Sequence, residues 1–324
     1  MRTLKVLLLP LKGYFQPWCD DVIDAIGNKH QLSVFKPSKP ILTQFDGIDV
    51  VIDHGGSVGT RRMMDVATSA KLWQILGTGF DHFDLEYIRR LGIPVANCPG
   101  GFSSGALAES AMMFILMLSR RYQQSADNFE SGVLYQPLSF ELSGQSLGII
   151  GLGASGQELA RRANSFGMKI LAIDVRTIES QVLDELQPEF MGSPLDIDQI
   201  ITEVDFLSLH LHLNSETRHI IDARRISLMK STACLINVAR GELVDEQALH
   251  YALVNRKLGG AGLDVFTEEP PDPQAPVFQL PNVVITPHVA GVTYQTSRQR
   301  AACAAQNVDR IAQELSPFYR IDEN

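Results

Sequence analysis

Short apolar runs alternate with helix-period stretches along almost the whole chain, which is the rhythm of parallel β-α-β units. In the first hundred residues, the runs at 5–9, 31–35, 50–53, 72–76 and 94–96 read as strands, and the stretches at 18–25, 61–69 and 84–91 as helices. The turn-rich segment 98–104 reads as a hinge or linker. Residues 106–122 then carry a helical pattern with apolar Ala108, Ala111, Met112, Ile115, Leu116 and Leu118, which suits a core element or a subunit interface equally. The rhythm resumes with strands at 147–150, 169–173, 206–211, 233–237, 262–264 and 283–286, while 184–200 reads as strand-poor loop and helix. A last helical pattern starts at Gln295 and ends near Leu315. The alternation predicts an α/β fold whose chemistry gathers beyond the carboxyl ends of its strands.

One of these units has a glycine turn inside it. Leu147-Gly148-Ile149-Ile150 runs into Gly151-Leu152-Gly153-Ala154-Ser155-Gly156, a helical pattern follows, and the next strand ends in Asp174. In a dinucleotide-binding fingerprint each glycine has a task. Gly151 permits the tight turn, Gly153 lets the backbone approach a pyrophosphate, and Gly156 lets helix and strand pack closely. The helix N-terminus offers phosphates its unpaired N–H groups and positive dipole end. Asp174 stands where an acid accepts ribose hydroxyls. The glycines alone fit an ordinary turn as well; strand, helix and acid in register point to a bound dinucleotide.

Bulk properties narrow the picture. A chain of 324 residues exceeds the roughly 250–300 residues at which single cores stop growing, so two domains are expected. The net charge of −9 and the lack of a Lys/Arg block argue against nucleic acid as a partner. Cys19, Cys98, Cys234 and Cys303 form no C-x-x-C pair. Neither a disulfide framework nor a metal site is therefore expected, and a reducing compartment fits. The opening apolar run at 4–9 stops at Pro10, short of the roughly 7–15 residues of a signal-peptide core. No run approaches the ~18 apolar residues of a membrane span, so a cytoplasmic protein away from membranes is expected.

Three stretches downstream of the glycine turn place charged groups at strand ends. Leu235 to Val238 is an apolar run followed by Ala239, Arg240 and Gly241. Arg240 is either a solvated strand-end charge or a planar fork for gripping a carboxylate. Gly262-Leu263-Asp264 leads to Glu268-Glu269-Pro270, where the acids suit a cap and a solvated turn, or a site. Val283 to Thr286 delivers Pro287-His288 to a sheet edge. His288 is either structural or a proton-exchanging group, since imidazole titrates near neutrality. Together with a hydride acceptor at the glycine turn, these are the parts needed to oxidise a 2-hydroxy acid. Arg240 would bind its carboxylate and His288 would exchange its hydroxyl proton. Glu269 beside His288 would favour the imidazolium and fix its tautomer.

In these motifs the chain resembles the D-isomer-specific 2-hydroxyacid dehydrogenases over nearly its whole length. Asn97-Cys98-Pro99-Gly100 followed by Ala108-Glu109 resembles the family's interdomain hinge, and Gly151 to Gly156 its cofactor loop. Leu209-His210 with Glu216-Thr217 is similar to the segment passing the nicotinamide ribose. Residues 237–241, 262–270 and Pro287-His288 resemble the stretches that hold the catalytic Arg, Glu and His.

The resemblance implies two Rossmann-like doubly wound parallel-sheet domains. A discontinuous substrate domain, 1–100 and 292–324, would carry an inserted NAD-binding domain, 101–291. It implies that Arg240 orients the keto acid, that Glu269 supports His288, and that His288 donates the proton in the reducing direction. Asp264 would hold the nicotinamide amide. The cofactor would be lined by Gly151, Gly153, Ala154, Ser155, Gly156, Asp174, His210, Leu211, Thr217, Val238, Ala239, Arg240, Asp264 and His288. The backbone N–H groups of Thr78 and Gly79 would join Arg240 and His288 at the substrate. NAD is expected because the Asp174 carboxylate would repel the 2′-phosphate of NADP, while Arg176 keeps NADP as a lesser alternative. The implied substrates are 3-phosphoglycerate, glyoxylate or hydroxypyruvate, and the implied assembly is a homodimer formed through the cofactor domain. The chain ends too early for the regulatory extension of some phosphoglycerate dehydrogenases, so feedback through one is not expected. An NAD(H)-sensing, corepressor-like interaction protein on the same fold is the alternative.

The chain departs from the family pattern in several places. Ala154 stands where an Arg or Lys is common, which removes one charge contact from the phosphate loop, and His212 replaces a usual proline. The loop 53–59 is glycine-rich for a substrate-facing edge. Arg61 and Arg62 after it either start a solvated helix or meet a phosphate or second carboxylate.

Overall fold

Two sheets, each wholly parallel, organise the computed structural model, which describes residues 2–11, 16–54 and 59–323. Residues 55–58 of the glycine-rich loop lie outside the described residues. Contacts divide the chain into a unit of Met1–Phe102 with Thr293–Asn324 and a unit of Ser103–Val292.

The first unit alternates β1 (Lys5–Leu9), α1 (Trp18–Ile26), β2 (Gln31–Val34), α2 (Ile41–Phe45), β3 (Val50–Asp53), α3 (Arg61–Val66), β4 (Leu72–Ile75), α4 (Leu85–Arg90) and β5 (Val95–Ala96). Its strand order is β2-β1-β3-β4-β5. Every residue of β3 and β4 is buried, as expected where helices cover both faces of a parallel sheet.

The second unit opens with α5 (Ser104–Ser119) and α6 (Tyr122–Glu130). There follow β6 (Ser146–Ile150), α7 (Ala154–Ser165), β7 (Lys169–Ile173), α8 (Ser180–Leu186), β8 (Phe190–Gly192), α9 (Ile197–Glu203), β9 (Phe206–Leu209) and α10 (Ala223–Leu228). The unit closes with β10 (Cys234–Asn237), α11 (Glu246–Val254), β11 (Gly260–Leu263) and β12 (Val283–Ile285). The chain then returns to the first unit as α12 (Tyr294–Ala312). There Ala301, Ala304 and Val308 share a buried cluster with Cys19, Val22 and Ile26 of α1.

In the second unit the strand order is β12-β11-β10-β9-β6-β7-β8. Successive residues of a strand face opposite sides of the sheet, and the core divides accordingly. Leu147, Ile149 and Ile236 join α5 and α7 in one buried cluster. Ile150, Leu209 and Leu235 join α9, α10 and α11 in the other. Strand order reverses at β6 and β9, the topological switch point where doubly wound sheets bind ligands. Ile150 pairs with Leu209, so Gly151 and His210 leave the sheet side by side.

Several expected elements are corrected. The helix expected at 106–122 ends at Ser119, because Arg121 adopts a left-handed conformation (φ 50°) before α6 begins. Ala108, Ala111, Met112, Phe114 and Ile115 are buried, which makes α5 a core element. The segment 184–200 is not strand-poor, since it contains β8, a half-buried edge strand of three residues. Such a strand is too short to write an apolar run. Helix α3 stops at Val66 rather than at 69, and β9 stops at Leu209 rather than at 211. Among the described residues, no helix is long and apolar enough to cross a membrane.

Candidate active site

The turn after β6 is built on close backbone approaches. Gly151 has φ +99°, and a Cβ there would lie 2.4 Å from the carbonyl oxygen of His210. A Cβ on Gly156 would lie 2.1 Å from the carbonyl oxygen of Gly151. Both glycines are therefore demanded by the protein's own packing. Gly153 differs. It is the N-cap of α7 in extended conformation, and a Cβ there would meet only Arg176 Nη2, at 3.5 Å. The N–H groups of the first turn of α7 have no acceptor within the helix. An open glycine edge beside such a helix N-terminus fits a pyrophosphate. Exposed Ala154 adds no charge to it.

Asp174, at the end of β7, is buried, and both of its oxygens are engaged. Oδ2 accepts the Leu152 N–H (2.8 Å) and Arg176 Nη2 (3.0 Å). Oδ1 accepts the Arg176 N–H and Nε, both at 2.9 Å. Burial pushes this carboxyl up, but Arg176 and the Leu152 N–H outweigh it and hold the pKa below the ordinary value. The fork thus occupies the acceptor positions expected to serve a ribose, and the Arg176 side chain is 61% exposed and able to swing away. The Asp-x-Arg spacing in a turn was the only sequence signal for this pair.

Across the switch point, the His210 ring bridges Ser208 and Ser155. Leu211 packs toward the turn, since its Cδ2 would lie 3.1 Å from a Cβ on Gly151. Thr217 Oγ1 donates to the His212 carbonyl (2.7 Å) and accepts the Asn214 N–H (2.9 Å), which closes an exposed turn. Val238 is buried directly after β10, and Ala239 is half-buried.

Arg240 follows in extended conformation, with Nη1 donating to the Ala239 carbonyl (2.8 Å). The Asn237 side chain donates to the Arg240 carbonyl (2.8 Å) and accepts the Ala239 N–H (3.1 Å), which fixes this strand end. A Cβ on Gly241 would lie 2.0 Å from the carbonyl carbon of Phe266. That contact holds the Arg240 segment against the loop that carries Glu269. In this loop the Phe266 N–H donates to Glu269 Oε1 (3.2 Å). Glu269 Oε2 bonds His288 Nδ1 at 2.7 Å, with both side chains partly exposed. Burial pushes the Glu269 carboxyl up, but His288, the Phe266 N–H and the charge of Arg240 together bring it below its ordinary value.

His288 itself is held by Asp264, which is buried. The His288 N–H donates to the Asp264 carbonyl (2.8 Å). Asp264 Oδ1 accepts the Thr286 hydroxyl (2.5 Å) and the Val289 N–H (2.8 Å), and Oδ2 accepts the Ala290 N–H (2.9 Å). His288 adopts φ 55°, an uncommon conformation for a side chain of this size. A network of bonds on both sides of the residue holds it there. Burial raises the Asp264 carboxyl, and these donors work against that rise. With three of about four acceptor positions used, Asp264 has one left for an outside donor. Its grip on the His288 loop was not readable from sequence.

The remaining expected residues belong to the first unit. Thr78 and Gly79 follow β4, where the Asn97 amide holds the Thr78 carbonyl at 2.8 Å. Arg61 Nε donates to Asp84 Oδ2 (2.6 Å), and its guanidinium lies 4.9 Å from the Tyr87 ring centroid. That is a surface pairing of α3 with α4.

Comparison with known proteins gives a consistent result. Residues 112–290 match the family model described as D-isomer specific 2-hydroxyacid dehydrogenase, NAD binding domain. The chain is 38% identical over 291 residues to the glyoxylate reductase of Thermococcus onnurineus, spanning 87% of this chain and 84% of that one. It is 35% identical over 273 residues to the D-3-phosphoglycerate dehydrogenase of Methanocaldococcus jannaschii, spanning 84% of this chain and 51% of that relative, about half its length. Among solved structures, D-lactate dehydrogenase from Aquifex aeolicus complexed with NAD and lactic acid aligns with a TM-score of 0.82 at 28% identity, covering 95% of this chain and 96% of that one.

The Asp264 network yields a stability prediction. Asp264→Ala leaves two loop N–H groups and a hydroxyl without their acceptor, at a cost of roughly 3 kcal/mol. Urea titration followed by circular dichroism measures it. A loss well under ~1 kcal/mol would show that other contacts hold the His288 loop.

Proposed function

The chain belongs to the D-isomer-specific 2-hydroxyacid dehydrogenase family, and from that premise we propose that Arg240, Glu269 and His288 carry out its chemistry. That chemistry is the nicotinamide-dinucleotide-dependent interconversion of a 2-hydroxy acid and its 2-keto acid. The observation that carries the assignment of residues is the 2.7 Å bond between His288 Nδ1 and Glu269, in the same unit as the glycine cradle.

With Nδ1–H donating to Glu269, neutral His288 carries its lone pair on Nε2, the nitrogen left to take a proton from the 2-hydroxyl. In the reducing direction the imidazolium returns that proton to the keto oxygen, and Glu269 stabilises the cation. Arg240 grips the substrate carboxylate through its fork, which orients C2. The bound dinucleotide supplies or accepts the hydride. Glyoxylate, hydroxypyruvate and 3-phosphoglycerate are the candidate substrates, each supported by the name of a relative.

NAD is the preferred cofactor in this reading. The Asp174 carboxylate is anchored by the Leu152 N–H independently of Arg176, so it stays to repel a 2′-phosphate when the arginine moves. The assembly is a homodimer formed through the second unit. Tyr122, Phe129, Leu134, Tyr135, Leu138 and Phe140 are all more than half exposed on α6 and the segment after it, an apolar patch that water does not favour. This patch, rather than buried α5, is the candidate interface. A reducing cytoplasm suits the four cysteines, all free and buried.

Three outcomes follow. In an assay of 2-keto acids monitored by NADH absorbance, His288→Ala and Arg240→Ala each lose at least ~100-fold in turnover while NADH binding stays within a few-fold. A His288→Ala enzyme of near-normal rate would remove His288 as the proton donor. Asp174→Ala lowers kcat/KM with NAD and raises it with NADP, shifting the preference by roughly tenfold or more; an unchanged ratio would show that Asp174 does not select the cofactor. Sedimentation at micromolar concentration gives a dimer, and the paired change Phe129→Glu with Leu138→Glu gives a monomer. A wild-type monomer would refute the interface.

A further inference from the structure

Ser155 and His210 face one another across the switch point, and their hydrogen bonds have a direction. His210 Nε2 lies 2.9 Å from Ser208 Oγ, and Nδ1 lies 2.9 Å from Ser155 Oγ. Desolvation holds the imidazole pKa down at about 4, so near neutral pH the ring has one N–H and one lone pair. Two arrangements are then open. Either Ser208 donates to Nε2 and Nδ1–H donates to Ser155, or Ser155 donates to Nδ1 and Nε2–H donates to Ser208.

Ser208 decides between them. It is fully buried on β9, and His210 Nε2 is the one hydrogen-bond partner of its hydroxyl among the described residues. If Nε2 carried the proton, the Ser208 hydroxyl hydrogen would have no acceptor among the described residues at a position that is 0% exposed, the costly way to bury a donor. Ser208 therefore donates, Nε2 accepts, and the proton of the ring sits on Nδ1. Ser155 accepts that proton's hydrogen bond, which leaves its own hydroxyl hydrogen uncommitted. Ser155 is partly exposed in the first turn of α7, beside the unpaired N–H groups there.

We infer that His210 is a positioning residue. Held in the Nδ1–H tautomer by Ser208, it turns the Ser155 hydroxyl into an outward donor for the pyrophosphate of the dinucleotide. The inference rests on the reading of the glycine cradle as the dinucleotide site. It also accounts for how this chain manages with Ala154 in the loop: a neutral hydroxyl of fixed polarity adds a donor to the backbone N–H groups. Ser208, which is fully buried, acts on that donor through the ring.

The test combines histidine nitrogen NMR with NADH binding by fluorescence. In wild-type protein labelled with ¹⁵N-histidine, with the signals identified by their loss in His210→Gln, His210 Nδ1 resonates as a protonated nitrogen and Nε2 as an unprotonated one. Ser155→Ala weakens NADH binding about tenfold. Ser208→Ala removes the donor to Nε2, moves the ring proton toward Nε2 and weakens NADH binding several-fold, while Ser208→Thr keeps the hydroxyl and restores both readouts. A wild-type Nε2–H tautomer, or a Ser208→Ala protein that binds NADH like wild type, would overturn the relay while the cofactor site stands. A wild-type protein that fails to bind NADH at all would instead overturn the cradle reading on which the relay rests.

Discussion

Backbone crowding at the carboxyl ends of the second sheet is the constraint on which its site depends. At the end of β6, a Cβ on Gly151 would come 2.4 Å from the His210 carbonyl oxygen, and one on Gly156 would come 2.1 Å from the Gly151 carbonyl oxygen. At the end of β10, a Cβ on Gly241 would come 2.0 Å from Phe266. No side chain fits at any of these points. The first two contacts fasten β6, β9 and α7 at the switch point and form the cradle. The third brings the Arg240 segment against the loop of Glu269. The sheet supplies rigid strand ends, and glycine lets neighbouring ends approach closely enough for their side chains to act together.

Polar groups then set direction. Asp264 is buried at the end of β11 and holds three donors of the loop that carries His288, so the His288 imidazole is aimed by a buried carboxylate. Glu269 completes the aim by taking Nδ1. Asp174 works in the same way on the other side of the unit, where Leu152 of the glycine turn is bound to it. Each of these carboxylates would be costly to bury alone, and each is surrounded by enough donors to stay useful.

Much of this architecture was legible in the sequence, for identifiable reasons. Apolar runs bounded by turn residues marked the long buried strands, and the glycine turn with Asp174 marked a dinucleotide site. Arg240 and His288 stood out as polar groups a few residues beyond apolar strands, and Glu269, six residues past β11, stood out beside them and through the family resemblance. What stayed hidden depends on contacts distant in sequence or on conformation without a compositional mark. The break at Arg121 has no Gly or Pro to announce it, and β8 is three half-buried residues at a sheet edge. Whether α5 served core or interface was undecidable from its apolar surface; only packing against the sheet shows that it is core. The Asp264 network and the Ser208–His210–Ser155 chain link residues 22 to 55 positions apart, apart from one local step, beyond the reach of any periodicity.

A dinucleotide and a 2-keto acid held at these strand ends by a member of the D-specific family would react at C2 in one stereochemical sense. The most direct measurement is enantiomer analysis of the glycerate formed from hydroxypyruvate and NADH. D-glycerate is the expected product. Formation of the L enantiomer, or binding of NADH without turnover of any 2-keto acid, would contradict it.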